Sequence, residues 1–379
     1  MQAVTDTDLE MNPDTAEALG MLSETVTRYL ADHCPFDPQR MPLGRPVWWK
    51  GLGAELDALS AAWPEDAGGV GAGMVAHAQM LRPLGANLVA QTYVSTVVLG
   101  AGALLRSASP LAKDLLASVR AGNTVIAWAH TEPEGRHARL PEQTRLNRQG
   151  DLWVLQGRKS VVRCAPWADY FVVSAHAGQG QCALVLVARD ALGVHLRAYP
   201  TMDDSEAAEV QFESVSLAQE AMLIVGEQGA ETIEELLDEA SVALCAESLG
   251  VMDRLLKDSL DYARQRQQFG VPIASFQSMQ HRLADMHMAF SLAQALTAQT
   301  AQHWAAFTPQ ARRRAASSAK VMVGKACKTV GQGAVQIHGG MGMTEELAVG
   351  HCFRRATLIS QELGSTQWHL RRIADLDAA

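Results

Sequence analysis

The chain has 379 residues, 48% hydrophobic and 19% charged, with 32 Lys and Arg against 41 Asp and Glu for a net charge of −9 at pH 7. This composition excludes a disordered or fibrous chain, and the acidic balance, with no basic run longer than Arg312-Arg313-Arg314, argues against a nucleic-acid partner. At about 150 residues per domain, the length allows two or three domains, each with its own core.

The first stretch carries Asp6, Asp8, Glu10, Asp14 and Glu17 and has neither a basic start nor an apolar run, so no signal peptide is expected. No segment approaches about 18 uncharged apolar residues, so no membrane span is expected either. From Asp14 to Ala121 apolar residues recur at threes and fours (Leu19, Leu22, Val26, Leu30; Leu52, Leu56, Leu59), predicting an all-α domain over residues 1–123. From Thr124 to about Ile224 the text changes to short β-branched or alternating runs separated by Gly150, Asp151 and Gly178, predicting a β domain, barrel or sandwich, over 124–225. After Gly226 and Gly229 the helical period returns in four long patterns, the last from about Glu346 to Asp375, predicting a four-helix bundle over 226–379. Met279, Met286, Met288, Met341 and Met343 read as core filler. The six cysteines (Cys34, Cys164, Cys182, Cys245, Cys327, Cys352) form no CxxC pair and have no histidine at ligand spacing. Buried thiols in a reducing cytoplasm are expected, and no metal site.

The usual short motifs are silent, and no GxG triplet extends to GxGxxG. Longer phrases carry the signal instead. Asp261-Tyr-Ala-Arg-Gln-Arg266-Gln-Gln-Phe269-Gly270 runs on through Phe276-Gln277 to Asp285-Met286. Gln336-Ile-His338-Gly339-Gly340-Met-Gly342 follows, and Thr131-Glu132-Pro133 enters the β segment. In order and spacing these phrases resemble the acyl-CoA dehydrogenase family, with Pro64 to Gly71 and Gly157-Arg-Lys159 as smaller echoes. The closing stretch, through Arg354-Arg355, Gly364 and His369-Leu370, looks most like the short, pimeloyl-CoA dehydrogenase small-subunit type. The resemblance implies an α+β multidomain fold of helices, a β domain and a helical bundle. It also implies a flavin, FAD, in a protein that is a dimer at least.

The resemblance assigns Arg266, Phe269, Gln277, Gln336, Gly339 and Gly340 to the ADP half of the FAD, held mainly by the neighbouring protomer. Trp128 and Thr131 are placed at the isoalloxazine, and Ser365 and Gln367 match family residues that touch the cofactor. The chemistry of these residues agrees. A pyrophosphate needs a fixed cation and backbone N–H donors, an adenine needs an aromatic wall, and a glycine pair lets backbone approach a ligand closely. The plainer alternatives are a solvated charge for Arg266, a helix terminator for Gly339-Gly340 and a core aromatic for Trp128. The family's Trp-Ile-Thr after Gly-x-Lys reads here Val161-Val162-Arg163, so one ring wall is missing.

The family reaction needs a carboxylate to take the acyl α-proton while a hydride leaves the β-carbon for the flavin. The position matching the commonest base is Leu363, and the position used by other members is Ala240; neither accepts a proton. Glu362, Glu239 and Glu247 remain. Glu247, amid Ala243-Leu-Cys-Ala and Ser-Leu-Gly250, has to be buried, and a lone buried carboxylate is costly unless hydrogen-bonded or functional. Glu247 is therefore the expected base, with a paired structural acid as the alternative. Ser241 in place of an Arg, and Arg136-His137-Ala138 in place of Gly-Ser-Asp, also depart from the family. His338 and His351 read as satisfied structural histidines. The expected function is α,β-dehydrogenation of an acyl-CoA thioester, with an electron-transfer flavoprotein as acceptor. The alternatives are a cofactor-completing subunit of an α2β2 heterotetramer beside a homologous larger chain, and a flavin monooxygenase or oxidase on the same fold.

Overall fold

A computed structural model describes residues 12–36 and 46–378. The first eleven residues, part of the stretch read above as no signal peptide, lie outside them. The helices before the sheet are α1 (Pro13–His33), α2 (Trp48–Ala54), α3 (Gly73–Ala86), α4 (Gln91–Tyr93), α5 (Ala101–Leu105) and α6 (Pro110–Arg120), with a π-helical stretch, Val94–Gly100, joining α4 to α5. Strands β1 (Ile126–Ala129), β2 (Arg145–Gln149), β3 (Leu152–Arg163), β4 (Tyr170–His176), β5 (Cys182–Ala188), β6 (Val194–Pro200), β7 (Glu206–Leu217) and β8 (Met222–Gly226) follow. The chain ends with α7 (Glu227–Gln265), a hairpin of β9 (Gln267–Gln268) and β10 (Val271–Pro272), α8 (Gln277–Gln302), α9 (Pro309–His338), α10 (Ala348–Ile359) and α11 (Thr366–Ala378).

The chain divides into two compact units. One takes Met41–Gly71 and Gln91–Ala240, and the other takes Met1–Arg40, Ala72–Ala90 and Ser241–Ala379. In the first, the strands are ordered β6-β7-β3-β2-β4-β5-β8, with β1 parallel to β4. The end strands β6 and β8 are not paired with each other, so the sheet is open, which corrects the closed-barrel form of the expectation. Strands β4 and β5 are continuous apolar runs, Phe171 to Val173 and Ala183 to Val187, because both of their faces are buried. Among the described residues, strand β1 has no sheet neighbour on its other side. There Ser95 and Thr96 of the π-helical stretch hydrogen-bond its backbone: Ile126 N donates to Thr96 Oγ1 at 3.2 Å and Trp128 N to Ser95 Oγ at 3.1 Å. Hydroxyls thus satisfy donors that a sheet neighbour would otherwise take.

In the second unit α8, α10 and α11 all pack on α9, and Met74, Val242, Ala301, Trp304 and Ala316 form one buried cluster. Gly85 and Gly250 bring α3 and α7 into backbone contact, since a Cβ at Gly85 would strike the Glu247 carbonyl and one at Gly250 the Arg82 carbonyl. The pattern read as one fourth helix is two, α10 and α11, broken where Leu363 (φ 57°) and Gly364 (φ 120°) enter left-handed space. Ser365 then restarts the helix, its Oγ accepting from Trp368 N at 3.2 Å. Met286 is core, but Met288, Met341 and Met343 are exposed, which corrects that reading. All six cysteines are buried. Among the described residues, no helix is long and apolar enough to cross a membrane.

Candidate functional site

In the sheet unit, Trp128 stands on β1, 8% exposed, stacked on His130 with ring centroids 5.9 Å apart. Its indole Nε1 is buried and has no hydrogen-bond partner among the described residues. Thr131 follows at the strand's exit, partly exposed, with its carbonyl accepting from Ser160 N at 2.8 Å.

Behind these residues lies a buried polar cluster that ties two of the quoted phrases together. The carboxylate of Glu132 accepts from the backbone N–H groups of Glu142, Gln143 and Thr144 at 2.9, 2.8 and 2.8 Å. It also accepts from Lys159 Nζ at 3.0 Å, and Lys159 reaches the His130 carbonyl at 2.9 Å. Gly157 (φ 152°) permits this, because a Cβ there would meet the backbone of Thr144. Thr-Glu-Pro and Gly-x-Lys are therefore two halves of one buried ion pair. Burial pushes Lys159 down to about 8, against the upward pull of Glu132. For Glu132 burial acts upward, yet Lys159 and the three amides outweigh it and hold the carboxyl at about 2. Burial, with Lys159 nearby, lowers His130 to about 3. Neutral His130 bonds Ser174 Oγ through Nδ1 at 2.8 Å and the Ala138 carbonyl through Nε2 at 3.3 Å. Donation from Nε2 to that carbonyl leaves Nδ1 as the acceptor.

The loop carrying Arg136-His137-Ala138 is fixed a second time. Arg139 bonds the Glu234 side chain and the Asp238 carboxylate, each at 2.8 Å, on the first turns of α7. Arg163, the last residue of the departed phrase, bonds Ser205 Oγ at 2.8 Å and lies 3.8 Å from Asp203.

In the helical unit, Arg266 is exposed at the end of α7, and the hairpin after it turns through Phe269 (φ 54°) and Gly270 (φ 83°), both in left-handed space as a tight two-residue turn requires. Phe269 is 93% exposed and edge-on to Phe276. Gln277 opens α8, and Gln336 lies near the end of α9; both are exposed. Tyr262 and His338 stack at 4.4 Å, which brings the ends of α7 and α9 together and sets Arg266 and Gly339-Gly340 at one end of the unit. Gly339 (φ 61°) closes α9, and no atom lies within 4 Å of where a Cβ on Gly339 or Gly340 would stand. Ser365 caps α11, with Gln367 exposed in its first turn.

The acids weighed as bases are all ion-paired. Glu247, 1% exposed, takes both arms of Arg355: Nε to Oε1 at 2.5 Å and Nη2 to Oε2 at 2.8 Å. The third nitrogen, Nη1, bonds Glu362 Oε2 at 3.2 Å. Glu239 pairs with Arg106 at 2.6 Å. Beneath the Glu362 turn, buried Lys320 donates to the carbonyls of Ile359 at 2.6 Å and Glu362 at 2.8 Å. Burial lowers its pKa. In sequence Lys320 stands in no quoted phrase, while Arg355 and Lys159 appear only as members of the closing stretch and of Gly-x-Lys.

Residues 127–215 match the acyl-CoA dehydrogenase middle-domain model, and residues 215–376 match the acyl-CoA dehydrogenase C-terminal-domain model. The chain belongs to the acyl-CoA dehydrogenase family. It is 30% identical over 370 residues to acyl-CoA dehydrogenase FadE27 of Mycobacterium tuberculosis, covering 95% of this chain and 96% of that one. The probable acyl-CoA dehydrogenase YngJ of Bacillus subtilis is 29% identical over 333 residues, 84% of this chain and 86% of that one. The crystal structure of the ChsE4-ChsE5 complex from Mycobacterium tuberculosis superposes with a TM-score of 0.86 at 28% identity, over 98% of this chain and 99% of that chain. The named relatives are acyl-CoA dehydrogenases, oxidoreductases acting on a CH–CH bond, and this chain shares their sequence pattern and fold. Each unit by itself holds residues that fit the FAD the resemblance implies: in the sheet unit a buried indole N–H without a partner among the described residues and, three residues on, a partly exposed hydroxyl; in the helical unit an open glycine pair and an exposed arginine.

Proposed function

We propose that this chain is the FAD-holding, base-deficient subunit of an acyl-CoA dehydrogenase, acting in a heteromeric assembly beside a homologous chain that supplies the proton-abstracting carboxylate. The commitment of Glu247 to Arg355 carries this reading. Both oxygens of the acid are engaged by a planar fork, the strongest geometry available to a carboxylate. Leu363 leaves the commonest base position empty. FAD, when bound, supplies the two-electron acceptor for the β-hydride of the acyl thioester. The chain's own residues bind and orient it. Trp128 and Thr131 offer a ring face and donors at the isoalloxazine, while Arg266, Phe269, Gln277, Gln336, Gly339 and Gly340 serve the ADP half of a flavin shared with the neighbour. Ser365 and Gln367 join them at the turn into α11. The ChsE4-ChsE5 complex, which this fold matches, is a structure of two named chains together, and this supports the heteromeric reading. An electron-transfer flavoprotein is the expected acceptor, and six scattered, buried cysteines suit a reducing cytoplasm.

A second reading makes Glu362 the base, because it is the more exposed of the two acids on Arg355, with 20% of its side chain accessible against 1% for Glu247. The test is the visible spectrum of the chain, purified alone and after co-expression with a homologous chain bearing a Glu at the position matching Leu363, before and after anaerobic addition of a panel of acyl-CoAs. A flavin band that acyl-CoA bleaches only in the co-expressed protein supports the proposal. Bleaching of the chain alone, lost in Glu362→Gln, establishes the second reading; loss in Glu247→Gln restores Glu247 as the base.

A further inference from the structure

We infer that Tyr199 is a flavin-contacting residue, reaching from β6 to supply the aromatic wall that the Val161-Val162-Arg163 phrase lacks; this rests on the flavin reading of Trp128 and Thr131. Strand β3 loses register with β7 between Lys159 and Val162. Within that bulge Val161 sits at φ 51° and is 48% exposed. A β-branched residue rarely adopts a left-handed conformation, and such strain persists where a site needs it. The bulge leaves the Val161 N–H out of the ladder, where it donates to the phenol oxygen of Tyr199 at 3.0 Å.

The register explains how the tyrosine gets there. Tyr199 pairs with Ala207 on β7, and Ala207 pairs with Arg163 on β3. Paired residues share a face of the sheet, so the phenol crosses β7 above an alanine that offers no bulk to block it. Farther along the same hairpin, Asp203 and Ser205 hold Arg163. The end of the β6–β7 hairpin is thus bolted to the departed phrase at both residues 161 and 163. The neighbour of Val161, Ser160, donates to the Thr131 carbonyl at 2.8 Å. Tyr199 therefore anchors its ring one residue along the chain from the point where β3 meets the candidate isoalloxazine contact. The phenol–amide bond fixes the ring in place, which is what a stacking partner requires.

The test compares FAD titrations of the full-length wild type, Tyr199→Phe and Tyr199→Leu, with the melting temperature of each FAD-free protein. Loss of the ring contact is expected to weaken FAD about tenfold in Tyr199→Leu, while Tyr199→Phe, which keeps the ring and loses only the bond that fixes it, is expected to weaken it by a smaller factor. Wild-type affinity in a folded Tyr199→Leu overturns the proposal and leaves Tyr199 as a plug for the bulge. Should Tyr199→Leu fail to fold, 3-fluorotyrosine labelling decides: the 19F resonance absent from Tyr199→Phe is expected to move on FAD addition to the labelled wild type. An unmoved resonance in FAD-saturated protein overturns the proposal. Wild type that binds no FAD, alone or co-expressed with the homologous chain, overturns the flavin reading itself.

Discussion

Arg355 of α10 grips Glu247 of α7 with two parallel hydrogen bonds, Nε to Oε1 at 2.5 Å and Nη2 to Oε2 at 2.8 Å, where 3% and 1% of the two side chains are exposed. Removing one partner from such a pair strands the other's buried charge, whereas removing both leaves only the part-exposed Glu362 without its arginine. Arg355→Leu is expected to cost about 3–5 kcal/mol of unfolding free energy, and the double variant Glu247→Leu/Arg355→Leu clearly less. Urea denaturation of the three proteins checks this. Equal losses in the single and the double variants would mean that packing, and not pairing, holds the site.

The Glu132, Lys159 and His130 cluster sets an acid limit. His130 at about 3 lies below the ordinary histidine value of 6.5, so the unfolded chain takes up a proton that the folded one refuses, and stability falls as pH drops below about 6.5. Glu132, held at about 2 against an ordinary 4.5, adds a second loss as pH falls from 4.5 towards 2. Lys159 at about 8 acts on the alkaline side: its desolvated charge costs stability fully below pH 8, and the cost is relieved between 8 and 10.5. Melting temperature against pH should therefore bend twice on the acid side. His130→Gln should remove the bend that begins near pH 6.5 and keep the one below 4.5.

Lys320 donates to the carbonyls of Ile359 and Glu362, holding the end of α10 and the turn after it. Lys320→Met leaves both carbonyls without that cation and should cost about 1–3 kcal/mol. Hydrogen exchange at residues 360–364 should quicken more than exchange within α8. Uniform quickening across the unit would speak against a local role.

Phe269 is 93% exposed on its hairpin, so it adds little to the stability of the isolated chain. Phe269→Ser should change the unfolding free energy by no more than about 0.5 kcal/mol, while reducing the flavin that co-purifies with the assembled protein. A fall in stability with flavin content unchanged would remove Phe269 from the cofactor site.

Glu239 and Arg106 keep 16% and 31% of their side chains exposed, and their pair is worth less than the buried one. Glu239→Gln should leave both melting and flavin reduction close to wild type. A loss of acyl-CoA-dependent bleaching in that variant would return Glu239 to the catalytic candidates.

The order of helices, strands and helices was legible in the sequence because periodicity is local: apolar residues at threes and fours, then β-branched runs, then threes and fours again. The phrases assigned to the cofactor were legible as turns, since Gly339 closes α9 and Phe269 and Gly270 turn the hairpin, each in left-handed backbone. The base was not. Whether Glu247 is a proton acceptor or a structural acid depends on Arg355, which lies 108 residues farther along the chain, and no local pattern reports that partner. The same holds for Lys159 with Glu132, for Tyr199 with Val161, and for the open edge of a sheet expected as a barrel or sandwich. Sequence by itself determined the family, the element types and the departures at residues 161, 240 and 363, because each is written in residue identity and short-range spacing. Only the tertiary structure decided what the charged residues do, because a buried charge takes its role from the opposite charge that folding places against it.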